Sequence, residues 1–287
     1  MTILKKRPAR QKTEYNRQML LGGKRVLVVG VRNRRSLAFA IAQQAHNAGA
    51  KLAFAVQPGD KAHDKTSAII NAEFAGCPVF PCDAAKDDDI QSATDNAAEK
   101  LGGLDGLVHA IAFARRESIM GDYQDGTDRP AFAEALDISA YTLTGFCRAA
   151  QRHFVRSGGG SVITLSYLGA NRALPNYNVM GVAKAALEAS VRYLAYGMGK
   201  YNVRINAVSA GPVKTLAAAG IGDFGKILAE VKRQAPLRRN INAEEAANVA
   251  VFLLSDLATA VTGEVIHADC GFHITAGLAA DDSATDN

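Results

Sequence analysis

From residue 25 onward, short continuous apolar runs alternate with stretches of helical periodicity, and no other feature limits the fold so tightly. Runs at 25–30, 51–56, 77–81, 104–111, 161–165, 203–208 and 264–267 read as strands. Helical patterns fall between them at about 36–48, 61–75, 87–101 and 131–156, around Tyr177 and Lys184, and at about 214–233 and 243–255. Strands that are apolar throughout need cover on both faces, which a parallel sheet flanked by helices supplies. Right-handed crossovers then give a Rossmann-type α/β fold, a doubly wound parallel sheet of about seven strands in a single domain. In that fold, ligands gather at the carboxyl ends of the strands.

The folded domain is expected over residues 21–275, with a basic arm at 1–20 and an acidic tail at 276–287. The formal charge of +5 misleads until it is located. Residues 1–25 hold Lys5, Lys6, Arg7, Arg10, Lys12, Arg17, Lys24 and Arg25 against Glu14 alone, so the rest of the chain is slightly acidic. A chain-wide nucleic-acid surface is therefore not expected. No apolar run reaches the roughly eighteen residues of a membrane span, so no membrane insertion is expected. Cys77, Cys82, Cys147 and Cys270 show neither metal spacing nor a paired framework, which points to a reducing, cytoplasmic compartment and no metal site.

The strand ends can be read in turn for a dinucleotide. The first ends in Gly30, and the loop from Gly30 to Ser36 opens a helix at Ser36 and Leu37, where backbone N–H groups receive a pyrophosphate. That loop lacks the second and third glycines of the usual fingerprint. The second strand ends at Gln57, whose amide can donate to a ribose 2′-hydroxyl; this favours NADH over NADPH, although Arg32, Arg34 and Arg35 stand nearby. Asp83 and Ala84 end the third strand and suit the adenine amino group. His109 to Ala114 end the fourth with small residues, Ile111 and Ala112 among them. The sixth runs into Gly211-Pro212 and Val213, Lys214, Thr215, Leu216 and Ala217, a turn over the nicotinamide end.

Between the fifth strand and the following helix lie Leu165-Ser166-Tyr167-Leu168-Gly169 and Pro175-Asn176-Tyr177-Asn178-Val179-Met180-Gly181, followed by Lys184. A seven-residue interval puts Tyr177 and Lys184 on one helix face, roughly 10.5 Å apart along the axis. Alone, that spacing equally fits a buried tyrosine and a snorkelling lysine.

Together these segments make the chain resemble a short-chain dehydrogenase/reductase, and within that superfamily the bacterial enoyl-acyl-carrier-protein reductases. The likeness rests on Gly30-Val-x4-Ser36-Leu37-Ala38, His109–Ala114, Leu165–Ala170, Pro175–Gly181 and Ala210–Ala218, and it runs from about residue 20 to 275. Ordinary members carry Tyr-x3-Lys, which would place the tyrosine at Met180, and a serine at the position of Tyr167. Both replacements follow the enoyl reductase pattern.

The resemblance implies reduction of the trans-2 double bond of enoyl-acyl-carrier-protein thioesters by NADH, the last step of the type II elongation cycle. It implies Tyr167, Tyr177 and Lys184 as catalytic residues. Cofactor contacts would come from Gly30, Ser36, Leu37, Gln57, Asp83, Ala84, Ile111, Lys184 and Val213 to Ala217. Ala114, Met180, Phe224 and Ile227 would meet the substrate. A homotetramer and an acyl-carrier-protein partner are implied as well, and the glycines of residues 211–230 lead us to expect a mobile substrate loop there. Departures from the family pattern are Ala112 and Cys270, where relatives carry glycine, and Gly222 and Gly225, where they often carry basic residues. Two other readings remain open: a reductase of another unsaturated or carbonyl substrate, and a dinucleotide-binding protein without catalysis.

Overall fold

The computed structural model describes residues 20–215 and 224–276. Nearly all of the basic arm, the acidic tail beyond Ala276, and the expected site positions Leu216, Ala217 and Gly222 lie outside the described residues. The described strands are β1 (Arg25–Val29), β2 (Lys51–Val56), β3 (Val79–Pro81), β4 (Gly106–His109), β5 (Gly160–Ser166), β6 (Val203–Ala210) and β7 (Val265–Ala268). They form one sheet in the order β3-β2-β1-β4-β5-β6-β7, and every pair is parallel. This is the doubly wound fold that the alternation predicts.

Successive strand residues supply two separate cores, as a pleated sheet covered on both faces requires. On one face Leu27, Leu107 and Val162 pack with Ile90 of α3 (Asp87–Leu101), Phe146 of α6 (Thr142–Arg156) and Leu187 of α7 (Asn178–Met198). On the other, Val26, Val28, Phe54 and Val108 pack with Ile41 of α1 (Leu37–Asn47), Ile70 of α2 (Asp60–Glu73) and Leu253 of α9 (Ala243–Leu254). A one-turn helix α4 (Tyr123–Gly126), α5 (Arg129–Leu136) and α8 (Phe224–Gln234) complete the described helices.

Three expectations are corrected. β4 stops at His109, because the chain after it turns away where Ala110 meets Gly30. The single helix expected over 131–156 is instead α5, a π-helical turn at Asp137–Tyr141, and α6. In that turn the Ser139 hydroxyl bonds to the Phe113 backbone, and Thr142, the first residue of α6, donates its hydroxyl to the Ile138 carbonyl. Residues 211–215 are irregular rather than the start of a helix. Cys270 also finds an explanation, since it adopts φ 59°, a left-handed conformation that favours glycine.

The sheet order reverses between β1 and β4, so their carboxyl ends border the ligand crevice. Gly30 has φ 96°, and a Cβ there would lie 2.5 Å from the Ala110 carbonyl carbon and overlap its oxygen. Gly30→Ala is therefore expected to destabilise the protein by at least about 2 kcal/mol, from backbone strain and overlap together. Gly158→Ala, at φ 81° with open space around it, is expected to cost only the conformational part, about 1 kcal/mol. Denaturant unfolding of the two variants checks the difference; equal costs would mean that the contact with Ala110 relaxes away.

Candidate active site

The β1–α1 loop compensates for its missing glycines with side-chain bonds. The Asn33 side-chain oxygen accepts from the Arg35 N–H at 2.8 Å, and the Asn33 carbonyl accepts from Ser36 Oγ at 2.8 Å. Ser36 is also the N-cap of α1, accepting from the Phe39 N–H. The loop is thereby wound into a helix start whose first amides are free to face an anion. Gly30, with no side chain to block the approach, precedes it.

At the other strand ends, Asp83 accepts from the Ala85 N–H at 3.2 Å and pairs with Lys86 at 3.4 Å. Ala84 and Ile111 are half-buried against the core. Gln57 is exposed, and its Oε1 accepts from Arg32 at 2.5 Å. Val213, Lys214 and Thr215 follow β6 in irregular backbone. Phe224 begins α8, and Ile227 packs on the Val231, Ala235 and Cys270 cluster.

The segment after β4 is clamped from two sides. Ser139, fully buried in the π-turn, both accepts from the Phe113 N–H and donates to the Phe113 carbonyl, each at 2.9 Å. Thr142 donates its one hydroxyl proton to the Ile138 carbonyl, so it can only accept from His109 Nε2. His109 is thus the Nε2–H tautomer, and its Nδ1 accepts from Thr164 on β5. Burial pushes the His109 imidazole down to about 3, so it stays neutral and acts as a structural rivet. Ala114 then packs with Met180, Val179 and Ala183 of α7.

Tyr177 does not sit on the helix, contrary to the reading of its spacing. Helix α7 begins at Asn178, and Tyr177 is its N-cap with φ −126° and ψ −21°. Pro175 and the left-handed Asn176 (φ 59°) hold the chain off the helix, and Asn178 (φ 21°) donates from its amide to the Gly121 carbonyl at 2.9 Å. Two glycines make room for the phenol. A Cβ on Gly169 would overlap the Tyr177 ring, and one on Gly181 would lie 2.8 Å from the Gly169 carbonyl oxygen. The ring of Tyr167 meets that of Tyr177 edge to face, with centroids 5.1 Å apart.

Burial, with Tyr167 adding to it, raises the Tyr177 phenol far above its usual range; burial and Asp269 push Tyr167 up to about 12. Both are neutral hydrogen-bond donors at ordinary pH. Lys184 is 6% exposed, and its Nζ donates to the Leu165 carbonyl at 2.7 Å. Burial lowers it to about 8, opposed by Glu188. Glu188 is itself buried and accepts from Ser166 Oγ at 2.5 Å and from Asn171 at 3.2 Å. Sequence reasoning missed Glu188, Ser139 and Gly169. Only the i, i+4 spacing of Lys184 and Glu188 carried a readable signal.

Strand order, the helix start behind Gly30, and two packed phenols after β5 with a buried lysine on the helix that follows match a nucleotide-dependent reductase of the short-chain dehydrogenase/reductase type. The enoyl-(acyl carrier protein) reductase family model matches residues 30–273. The chain is 48% identical over 264 residues to enoyl-acyl-carrier-protein reductase (NADH) 1 of Rhizobium meliloti, covering 92% of this chain and 95% of that one. It is similar to the crystal structure of the Bacillus cereus enoyl-acyl carrier protein reductase with NADP+ and indole naphthyridinone. That match has TM-score 0.86 and 45% identity, covering 90% of this chain and 99% of that one. The Anaplasma phagocytophilum reductase in complex with NAD matches with TM-score 0.85 and 40% identity, covering 91% and 98% respectively. The chain belongs to the enoyl-acyl-carrier-protein reductase family.

Gly169→Ala tests the seating of the phenol. The added methyl displaces the Tyr177 ring, and a displacement of about 1 Å costs on the order of 100-fold in rate. We expect kcat with an enoyl thioester to fall by about that factor while NADH still binds by fluorescence titration. An unchanged kcat would mean that the position of the Tyr177 ring does not govern turnover.

Proposed function

We propose that Tyr177, Tyr167 and Lys184 carry the reduction of an enoyl thioester in the crevice between the strand ends. The protein is an NADH-dependent enoyl-acyl-carrier-protein reductase of type II fatty-acid synthesis. NADH, when bound, supplies a hydride that passes from nicotinamide C4 to C3 of the trans-2-enoyl chain. Gly30, the first turn of α1 at Ser36 and Leu37, and Gln57, Asp83, Ala84, Ile111, Val213, Lys214 and Thr215 are the described residues assigned to hold the cofactor. Leu216 and Ala217 are assigned with them from the sequence.

Negative charge then grows on the thioester oxygen. The neutral Tyr177 O–H donates a hydrogen bond to it, stabilising the charge as it develops. Lys184 uses one N–H on the Leu165 carbonyl and keeps two for the nicotinamide ribose, which fixes the hydride geometry. Tyr167 lines the acyl pocket and relays the proton that C2 takes up. Ala114 and Met180 wall the acyl chain, with Phe224 and Ile227 assigned to its far side.

One observation carries this reading: the two neutral phenols pack edge to face, with Met180 standing where a carbonyl reductase of this superfamily would place its tyrosine. We also infer a homotetramer. Tyr193 and Tyr196 on α7 are 80% and 91% exposed and give it an uncovered aromatic face. A single domain over 21–275 and a cytoplasmic setting complete the reading; the four cysteines are free thiols, as a reducing compartment keeps them.

The test of the reaction is NADH oxidation with crotonyl or longer enoyl thioesters against 3-ketoacyl thioesters. Turnover with the enoyl substrates, lost by about 100-fold in Tyr177→Phe, is the expected result. Brisk turnover of ketoacyl thioesters alone would assign the site to carbonyl reduction. The lysine gives a pH signature. Lys184 carries its charge below about pH 8 and loses it above. The Michaelis constant for NADH should therefore rise as pH passes through that value, and Lys184→Met should abolish the rise along with tight binding. A pH-independent constant in the unaltered enzyme would remove the charge of Lys184 from the binding step.

A further inference from the structure

In dinucleotide folds the end of β2 sorts cofactors, because a carboxylate there accepts from a ribose 2′-hydroxyl and repels a 2′-phosphate. Here the strand ends in Gln57-Pro58-Gly59, without a carboxylate. Arg32 reaches across from the β1–α1 loop and donates from Nη1 to Gln57 Oε1 at 2.5 Å. Its backbone is fixed as well, since the Arg32 carbonyl accepts from Thr66 on α2 at 3.3 Å.

The loop's charges are divided between two tasks. Arg34 is drawn away to Glu73, at 2.7 Å, and braces the loop against α2. Among the described residues, Arg32 pairs with no carboxylate. The bond to Gln57 uses one of its five N–H donors and one lone pair of the amide oxygen, and it leaves the Gln57 NH2 group with both of its donors. Among the described side chains, Gln57 at the end of β2 and Arg32 beside it therefore offer guanidinium and amide donors and the positive charge of Arg32. A 2′-hydroxyl, with a single oxygen, can use only one or two of those donors. A phosphate dianion can use all of them, including the fork geometry of the guanidinium.

We propose that Arg32 and Gln57 form a subsite for a ribose 2′-phosphate, so that this enzyme uses NADPH as well as NADH. The proposal rests on the assignment of a nicotinamide dinucleotide to this crevice. Arg32 is a specificity-determining residue contributed by the first loop, and Gln57 aims it. Hydrogen bonds to a charged group of this kind change affinity by about 10–100-fold.

The experiment compares kcat/KM for NADPH and NADH with one enoyl thioester in the unaltered enzyme, Arg32→Ala and Gln57→Glu, with direct binding of 2′,5′-ADP and 5′-ADP measured by titration calorimetry in parallel. The unaltered enzyme should turn over both coenzymes with constants within about tenfold of each other. Arg32→Ala should lower the NADPH/NADH ratio by about 10–100-fold, and Gln57→Glu should lower it as well. The unaltered enzyme should bind 2′,5′-ADP more tightly than 5′-ADP, with an advantage that salt weakens and Arg32→Ala removes. Turnover with NADH alone, or a ratio unchanged in Arg32→Ala, would overturn the proposal. Failure with both coenzymes would instead strike the reductase assignment, and the 2′,5′-ADP comparison would still decide the subsite.

Discussion

At the point where the strand order reverses, the carbonyl of Ala110 occupies the space that any side chain at position 30 would need. The contact between Gly30 and Ala110 sets how closely the carboxyl ends of β1 and β4 approach, and the site is built outward from it. On the β1 side it positions the Asn33–Ser36 turn and the open start of α1. On the β4 side it directs the chain out of the sheet into residues 110–114. His109 and Ser139 fix that segment against β5 and the π-turn with bonds that no change of pH in the ordinary range disturbs.

The catalytic side obeys a different constraint, which is burial of polar groups. Lys184 and Glu188 are both held out of water, at a cost that their mutual attraction and their hydrogen bonds to Leu165, Ser166 and Asn171 offset. The same burial keeps the two phenols neutral and brings the lysine within reach of physiological pH. A site that stabilises a developing oxyanion needs donors that do not ionise and a cation that stays in place. The packing of Tyr177 on Gly169 and the bond from Lys184 to a main-chain carbonyl hold the two groups in the positions that the proposed role asks of them.

The strand-and-helix alternation was legible because hydrophobic periodicity is a local property, and it led directly to the doubly wound parallel sheet. The π-turn was not, since Asp137–Tyr141 lies inside a continuous helical pattern and differs from it in the register of its backbone hydrogen bonds, which the sequence pattern does not carry. Tyr177, Tyr167 and Lys184 were found through the family likeness, but their geometry was misread. A Tyr-x6-Lys interval looks helical until Asn176 and Asn178 take positive φ and leave the tyrosine one step outside the helix. Gly169 carried no functional signal, because its importance lies in a ring eight residues away. Gln57 was readable as a strand end, yet the guanidinium resting on it comes from another loop.

The central claim is that Tyr177, seated on Gly169 beside a buried lysine, faces the oxygen of an enoyl thioester. A crystal structure of the enzyme with NAD+ and a trans-2-enoyl thioester tests it most directly. The account requires Tyr177 Oη at about 2.7 Å from the thioester oxygen and Lys184 Nζ on a ribose hydroxyl. A thioester oxygen bound by Tyr167 alone, with Tyr177 beyond hydrogen-bond reach, would contradict it.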